Sequence, residues 1–167
     1  ALKPEIRNDI QLITKCGIKM ISKNRPEHKL KHYDTSKEHI ISSVENSLKN
    51  LETDYIDLLL IHRPDPLMNP DQVAEAFKFL KAQGKVLNFG VSNFEPAEFE
   101  MLSSRLDFPL VTNQIEVSVM ALENFDNGSI DKCLEKNIVP MAWSPLAVCL
   151  DFKASGPNYS NSRKWKI

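Results

Sequence analysis

Residues 55–62 read Tyr-Ile-Asp-Leu-Leu-Leu-Ile-His, an almost unbroken apolar run of strand length. A strand without alternation is buried on both faces, the situation of parallel sheets covered by helices. Pro64 and Pro66 end the run. Such a sheet needs crossover helices, and the sequence supplies them on both sides. Upstream, Thr35 and Glu38 match a T-x-x-E capping box, followed by Ile41, Val44, Leu48 and Leu51 on one helical face. Downstream, Asn69-Pro70 reads as an N-cap with proline at the first helical position. Val73, Phe77 and Leu80 give that helix its apolar face, and Gly84 gives its stop.

Four further strands are predicted at 10–15 (IQLITK), 86–91 (VLNFGV), 111–116 (VTNQIE) and 139–144 (VPMAWS). Between them, Pro96 opens a helix with Phe99, Leu102 and Leu106 on its face. Asn127-Gly128 marks a turn, after which Ser129 can cap a short helix carrying Ile130, Cys133 and Leu134. Five strands with four intervening helices imply right-handed crossovers and a parallel α/β sheet. The later units repeat every 25 to 31 residues. Eight such units would fill roughly 250 residues, the size of a (β/α)8 TIM barrel, so the fold expected is part of one. No G-x-G-x-x-G occurs, which leaves the dinucleotide-binding doubly wound sheet without motif support. Two segments fall outside the pattern. Residues 19–34 form a long polar, basic loop, and residues 148–167 read as an irregular tail. The domain expected is therefore 1–147.

Charge narrows the partners. A formal net charge of -1 over 167 residues gives no basic field for nucleic acid or an anionic membrane. No apolar run approaches the roughly 20 residues of a transmembrane helix, and residues 1–10 carry no secretory pattern. Cys16, Cys133 and Cys149 are odd in number and far apart. They suit neither a disulfide framework nor a zinc site, and they fit a reducing cytoplasm.

In parallel α/β folds, ligands bind beyond the carboxyl ends of the strands. Those ends carry Lys15, His62, Ser92-Asn93, Asn113-Gln114 and Trp143-Ser144. Each alone has a structural reading: a solvated lysine, a core histidine, a helix-capping turn, a core tryptophan. Asn113-Gln114 is the hardest to dismiss, because amides are depleted from buried strands and need partners there. Together the set suits a polar, planar ligand beside a proton-transfer pair. Ser92, Asn93 and Gln114 match the donors and acceptor of a carboxamide, and Trp143 offers a stacking face. A lysine can depress a neighbouring acid, and a neutral histidine can donate to a carbonyl oxygen.

The runs LITKCG (12–17), DYIDLLLIHRPDP (54–66), GKVLNFGVSNF (84–94), LVTNQIEVS (110–118) and PMAWSPLA (140–147) resemble the aldo-keto reductases, in particular their YdhF-like bacterial branch. The resemblance implies a (β/α)8 barrel passing hydride from NADPH to the carbonyl of a small aldehyde or ketone. It implies that Lys15 depresses the catalytic tyrosine's pKa and that His62 orients the carbonyl. Ser92, Asn93 and Gln114 would hold the nicotinamide carboxamide, Trp143 would stack on its ring, and Ser144, Pro145 and Leu146 would approach the pyrophosphate.

The departures are also specific. By this resemblance, the 167 residues begin near the third strand, and the segment with the catalytic Asp and Tyr is absent. Tyr33, Tyr55 and Tyr159 do not sit in that motif, and Ser162-Arg163-Lys164 is too short a match for the 2′-phosphate clamp. From Val148 the family pattern stops, as a fragment or a frameshifted product would. The reading is thus a fragment of an NADPH-dependent reductase. The alternative is an inactive remnant that binds nucleotide at most, or self-associates through open sheet edges. Carbonyl reduction by these residues alone is not expected.

Overall fold

The computed structural model describes residues 4–23 and 29–147. The chain runs α1 (Pro4–Arg7), β1 (Ile13–Cys16), β2 (Ile18–Lys19), β3 (His32–Tyr33), α2 (Lys37–Leu51), β4 (Ile56–Ile61) and α3 (Pro70–Ala82). It continues through β5 (Val86–Ser92), α4 (Pro96–Ser103), β6 (Asn113–Glu116), α5 (Glu123–Asp126), α6 (Ser129–Glu135) and β7 (Met141–Trp143). Five strands make one sheet in the order β1-β4-β5-β6-β7, each neighbouring pair parallel. Spatial order follows chain order. That is the winding of a barrel, whereas a doubly wound sheet reverses at a switch point. The sheet is a half-barrel with helices between its strands. Among the described residues, β1 and β7 pair on one side only.

Helix starts follow local chemistry, at α2 and α6 against expectation. Asn69 caps α3 as predicted: its Oδ1 accepts from Asp71 N (3.0 Å) and Gln72 N (3.3 Å), with Pro70 next. Gly84 follows the last turn at φ +68°, which a glycine adopts without strain. At α2 the predicted Thr35/Glu38 box is replaced. The Asp34 carboxylate accepts from Ser36 N (3.0 Å) and Ser36 Oγ (2.6 Å), fixing Ser36 as the cap, and Ser36 Oγ accepts from His39 N at 3.3 Å. Thr35 Oγ1 instead donates to Asp65 Oδ2 at 3.1 Å. The buried stripe shifts accordingly, to His39, Ile40, Val44 and Leu48, with Ile41 only partly buried.

The core lies between sheet and helices. Leu59, Ile61, Phe89 and Val91 meet Ile40, Val44, Phe77, Leu80, Phe99 and Leu102, all at most 2% exposed. Each such side chain contributes roughly 1.5–3 kcal/mol by leaving water. The Phe77 and Phe89 rings stack at 4.3 Å between centroids.

Several sequence expectations are corrected here. Part of the polar stretch after residue 18 forms the β2–β3 antiparallel pair rather than plain loop. Strand β6 opens at Asn113, two residues late. Gly128 precedes α6 as its cap residue and Ser129 is already helical. Leu134, expected on its apolar face, is exposed, while Cys133 is buried. Residues 148–167 lie outside the described residues.

Candidate active site at the carboxyl ends of the strands

Register brings the polar residues to one face. Lys15 pairs with Leu60, and Leu60 with Gly90. Ser92 lies two residues beyond Gly90 and pairs with Gln114. Glu116 lies two beyond Gln114 and pairs with Trp143. Paired residues in a ladder share a face, and so do residues two apart along a strand. Lys15, Ser92, Gln114 and Trp143 therefore share the face opposite to the helices, and His62 continues β4 in the same alternation, two residues past Leu60. The neighbouring row of Cys16, Ile61 and Val91 points into the helix-side core.

Gly90 lets the strands close up beneath this site. A Cβ there would lie 2.8 Å from both Leu60 Cδ2 and Thr112 O. Only a residue without a side chain fits.

Above it runs a chain of hydrogen bonds. Trp143 Nε1 donates to Asn93 Oδ1 (2.8 Å), Asn93 Nδ2 donates to Ser92 Oγ (2.8 Å), and Ser92 Oγ donates to Gln114 O (2.9 Å). The Asn93 backbone N–H donates to the same Gln114 carbonyl at 2.9 Å. Asn93 sits at φ +59°, a left-handed conformation that asparagine tolerates better than most residues. The array is thus tied together across β5, β6 and β7. One member keeps unused capacity: Gln114 Oε1 is buried and has no hydrogen-bond partner. A buried acceptor without a donor costs about 1–3 kcal/mol, so the position is suited to a ligand N–H.

On the other side lie the cations. The Lys15 ammonium is held below its ordinary range by partial desolvation and then by the Arg63 charge. The half-buried His62 is likewise pushed down, first by desolvation and then by Lys15, Arg63 and Lys31. Its imidazole is neutral at neutral pH, the form that can donate a hydrogen bond without carrying charge. The Arg63 guanidinium lies 5.3 Å from the Trp143 ring centroid, bridging the cationic side to the aromatic one. Sequence reasoning missed Arg63. Its signal was its place directly after His62 at a strand end.

The turn after β7 is built from special backbone. Ser144 and Ala147 have φ +49° and +70°, and Ala147 N donates to Ser144 O at 2.8 Å. Ser144 is half-buried, whereas Pro145 and Leu146 are exposed. The turn follows Trp143 at the same end of the sheet. Asn113, noted with Gln114 in the sequence, faces the other way: its Nδ2 donates to Phe94 O at 2.7 Å. It anchors the start of α4.

An all-parallel half-barrel with amide, imidazole, ammonium and indole groups gathered at its strand ends has the architecture of part of a (β/α)8 barrel. The chain matches the family model "Aldo/keto reductase family" over residues 1–165, and it belongs to that family. It is 60% identical over 147 residues to the oxidoreductase YcsN of Bacillus subtilis, covering 88% of this chain and 49% of that protein. It is 50% identical over 145 residues to the oxidoreductase YdhF of Escherichia coli, covering 87% and 48% respectively. Among solved structures, an aldo/keto reductase from Klebsiella pneumoniae in complex with NADP and acetate superposes with a TM-score of 0.67 at 25% identity. That match covers 85% of this chain and 45% of the other. The chain spans about half the length of these curated relatives.

Proposed function

We propose that this chain carries the nicotinamide-binding and carbonyl-orienting part of an NADPH-dependent reductase of small aldehydes or ketones. The observation that carries the reading is the buried, unpartnered Gln114 Oε1 on the same face of the sheet as the tethered Trp143 indole. A carboxamide offers N–H donors for that oxygen, and a flat ring offers a face for the indole. The residues fit the cofactor in these respects. Gln114 would accept from the carboxamide, with Ser92 and Asn93 holding the frame around it, and Trp143 would stack on the ring. Ser144, Pro145 and Leu146 would meet the pyrophosphate with backbone groups.

When bound, the reduced nicotinamide supplies a hydride to the carbonyl carbon. The chain's own residues act on the oxygen. Neutral His62 donates an N–H to the carbonyl oxygen, polarising it and fixing its position. The Lys15 ammonium stabilises negative charge close by, which lowers the pKa of a neighbouring proton donor. Among the described residues, the buried free thiols of Cys16 and Cys133 support a reducing, cytoplasmic setting. Among the described residues no helix is long and apolar enough to cross a membrane.

Calorimetric titration of NADPH tests the reading. Wild type should bind. Gln114→Ala and Trp143→Ala should each weaken binding by about tenfold, the size of one lost stacking or hydrogen-bond contact. No heat in wild type, or equal affinity in all three proteins, would defeat it.

A further inference from the structure

The site is electrostatically lopsided. Arg63 is a cation at Trp143, Lys15 lies close enough to feel its charge, and Lys15, Arg63 and Lys31 all act on His62. Among the described residues, neither Lys15 nor Arg63 has a carboxylate at ion-pair distance. The nearby carboxylates are committed elsewhere or stand apart. Asp65 accepts from Thr35 Oγ1 and Leu67 N. Glu116, opposite Trp143 in register, pairs with neither cation. Asp34 binds Lys19 and Ser36. Of the cations, Arg63 is the one in contact with the indole. Its guanidinium is a planar cation of the kind that stacks on aromatic faces.

The two forms of a nicotinamide coenzyme differ at the ring by one unit of charge. The oxidised ring is a cationic pyridinium and the reduced ring is neutral. We propose that Arg63, held against Trp143, sets the redox preference of the site by penalising the oxidised coenzyme and leaving the reduced one unpenalised. Arg63 is a specificity-determining residue on this view, not a catalytic one. It makes product coenzyme leave more easily and inclines the protein towards carbonyl reduction over alcohol oxidation. The inference rests on the proposed nicotinamide site and adds to it a direction.

Titrating NADPH and NADP+ separately into wild type, Arg63→Met and Arg63→Lys tests it. In wild type NADPH should bind more tightly than NADP+. Arg63→Met should narrow that ratio by about threefold to tenfold, the scale of a partly screened interaction between unit charges near a surface. Arg63→Lys should keep most of it. In wild type alone, the ratio should shrink as salt is raised, which needs no variant to fold. An unchanged ratio in Arg63→Met, with both coenzymes still binding, would overturn the inference and leave the nicotinamide site standing. A salt-independent ratio in wild type would overturn it equally. If neither coenzyme binds wild type, the site itself fails and the inference falls with it.

Discussion

Trp143 and Asn93, 50 residues apart, are joined by an indole-to-amide hydrogen bond of 2.8 Å. The bond ties the end of β7 to the turn after β5, across the intervening β6. An indole carries its polar atom on one edge, so anchoring that edge leaves the ring available for stacking, with the Arg63 guanidinium already 5.3 Å from its centroid. The plane of Trp143 is therefore set by the protein before any ligand arrives, and a ligand meets an ordered surface rather than having to order one.

Asn93→Ala should separate the two jobs of this residue. Alanine loses the bonds to Trp143 and Ser92 and is strained at φ +59°. The expected cost is about 1–3 kcal/mol in urea unfolding. Asn93→Gly accepts the backbone conformation but restores neither bond. It should recover part of the stability and none of the NADPH affinity. Full recovery of affinity in Asn93→Gly would show that the bond to Trp143 is incidental.

Gly90→Ala should be destabilising out of proportion to a single methyl. The new Cβ meets Thr112 O at 2.8 Å and Thr112 Cγ2 at 2.9 Å, on a neighbouring segment that is itself hydrogen-bonded to β5. Overpacking of this kind costs about 1–3 kcal/mol. The site above would be displaced too, so NADPH binding should weaken along with the unfolding midpoint. A midpoint equal to that of wild type would mean that β5 shifts freely, contrary to the packing seen.

Arg7 predicts a purely structural loss. It is 8% exposed, and its guanidinium donates to Thr53 Oγ1, Ile10 O and Tyr55 O. It also pairs with Asp57 Oδ2 at 2.8 Å and covers the Tyr55 ring. Asp57 Oδ2 in turn accepts from Leu12 N, so the cluster fixes the entry of β1 beside β4. Arg7→Met leaves a shielded carboxylate without its cation, for which about 3 kcal/mol or more is expected. Thermal unfolding should show it. In protein that remains folded, the NADPH dissociation constant should not change, because the cluster sits at the amino ends of the strands.

Much of this was legible in the sequence, and the exceptions have physical causes. The apolar run at 55–62 gave a strand buried on both faces, and Asn69-Pro70 gave a helix start, because both signals are local. The boundary of α2 was misread because Asp34, Ser36 and Asp65 compete for the same few donors. Only their positions in space show which carboxylate takes Ser36 and which takes Thr35. The strand ends supplied Lys15, His62, Ser92, Gln114 and Trp143, since alternation forces them onto one face once the register is known. Asn113 and Gln114 looked alike in sequence, yet one-residue alternation sends them to opposite sides. Arg63 was passed over because a charged residue after a strand is ordinarily solvated. Its contact with Trp143 joins residues far apart in the chain.

His62 should titrate below the ordinary histidine value of about 6.5, and the cause is divisible. Burial comes first and the Lys15 and Arg63 charges follow, so Lys15→Met and Arg63→Met should each raise the pKa part of the way back. Imidazole carbon-proton resonances followed against pH would read this directly. The consequence for stability has a definite sign. The unfolded chain takes up its proton at the ordinary value while the folded chain does not, so between the two pKa values the unfolded state binds more protons. His62 therefore costs nothing above the ordinary value, and stability falls as the pH drops through it towards the depressed folded value. His62→Gln should flatten that part of the acid limb in urea unfolding. Titration of His62 at or above the ordinary value would remove the neutral donor on which its proposed role depends.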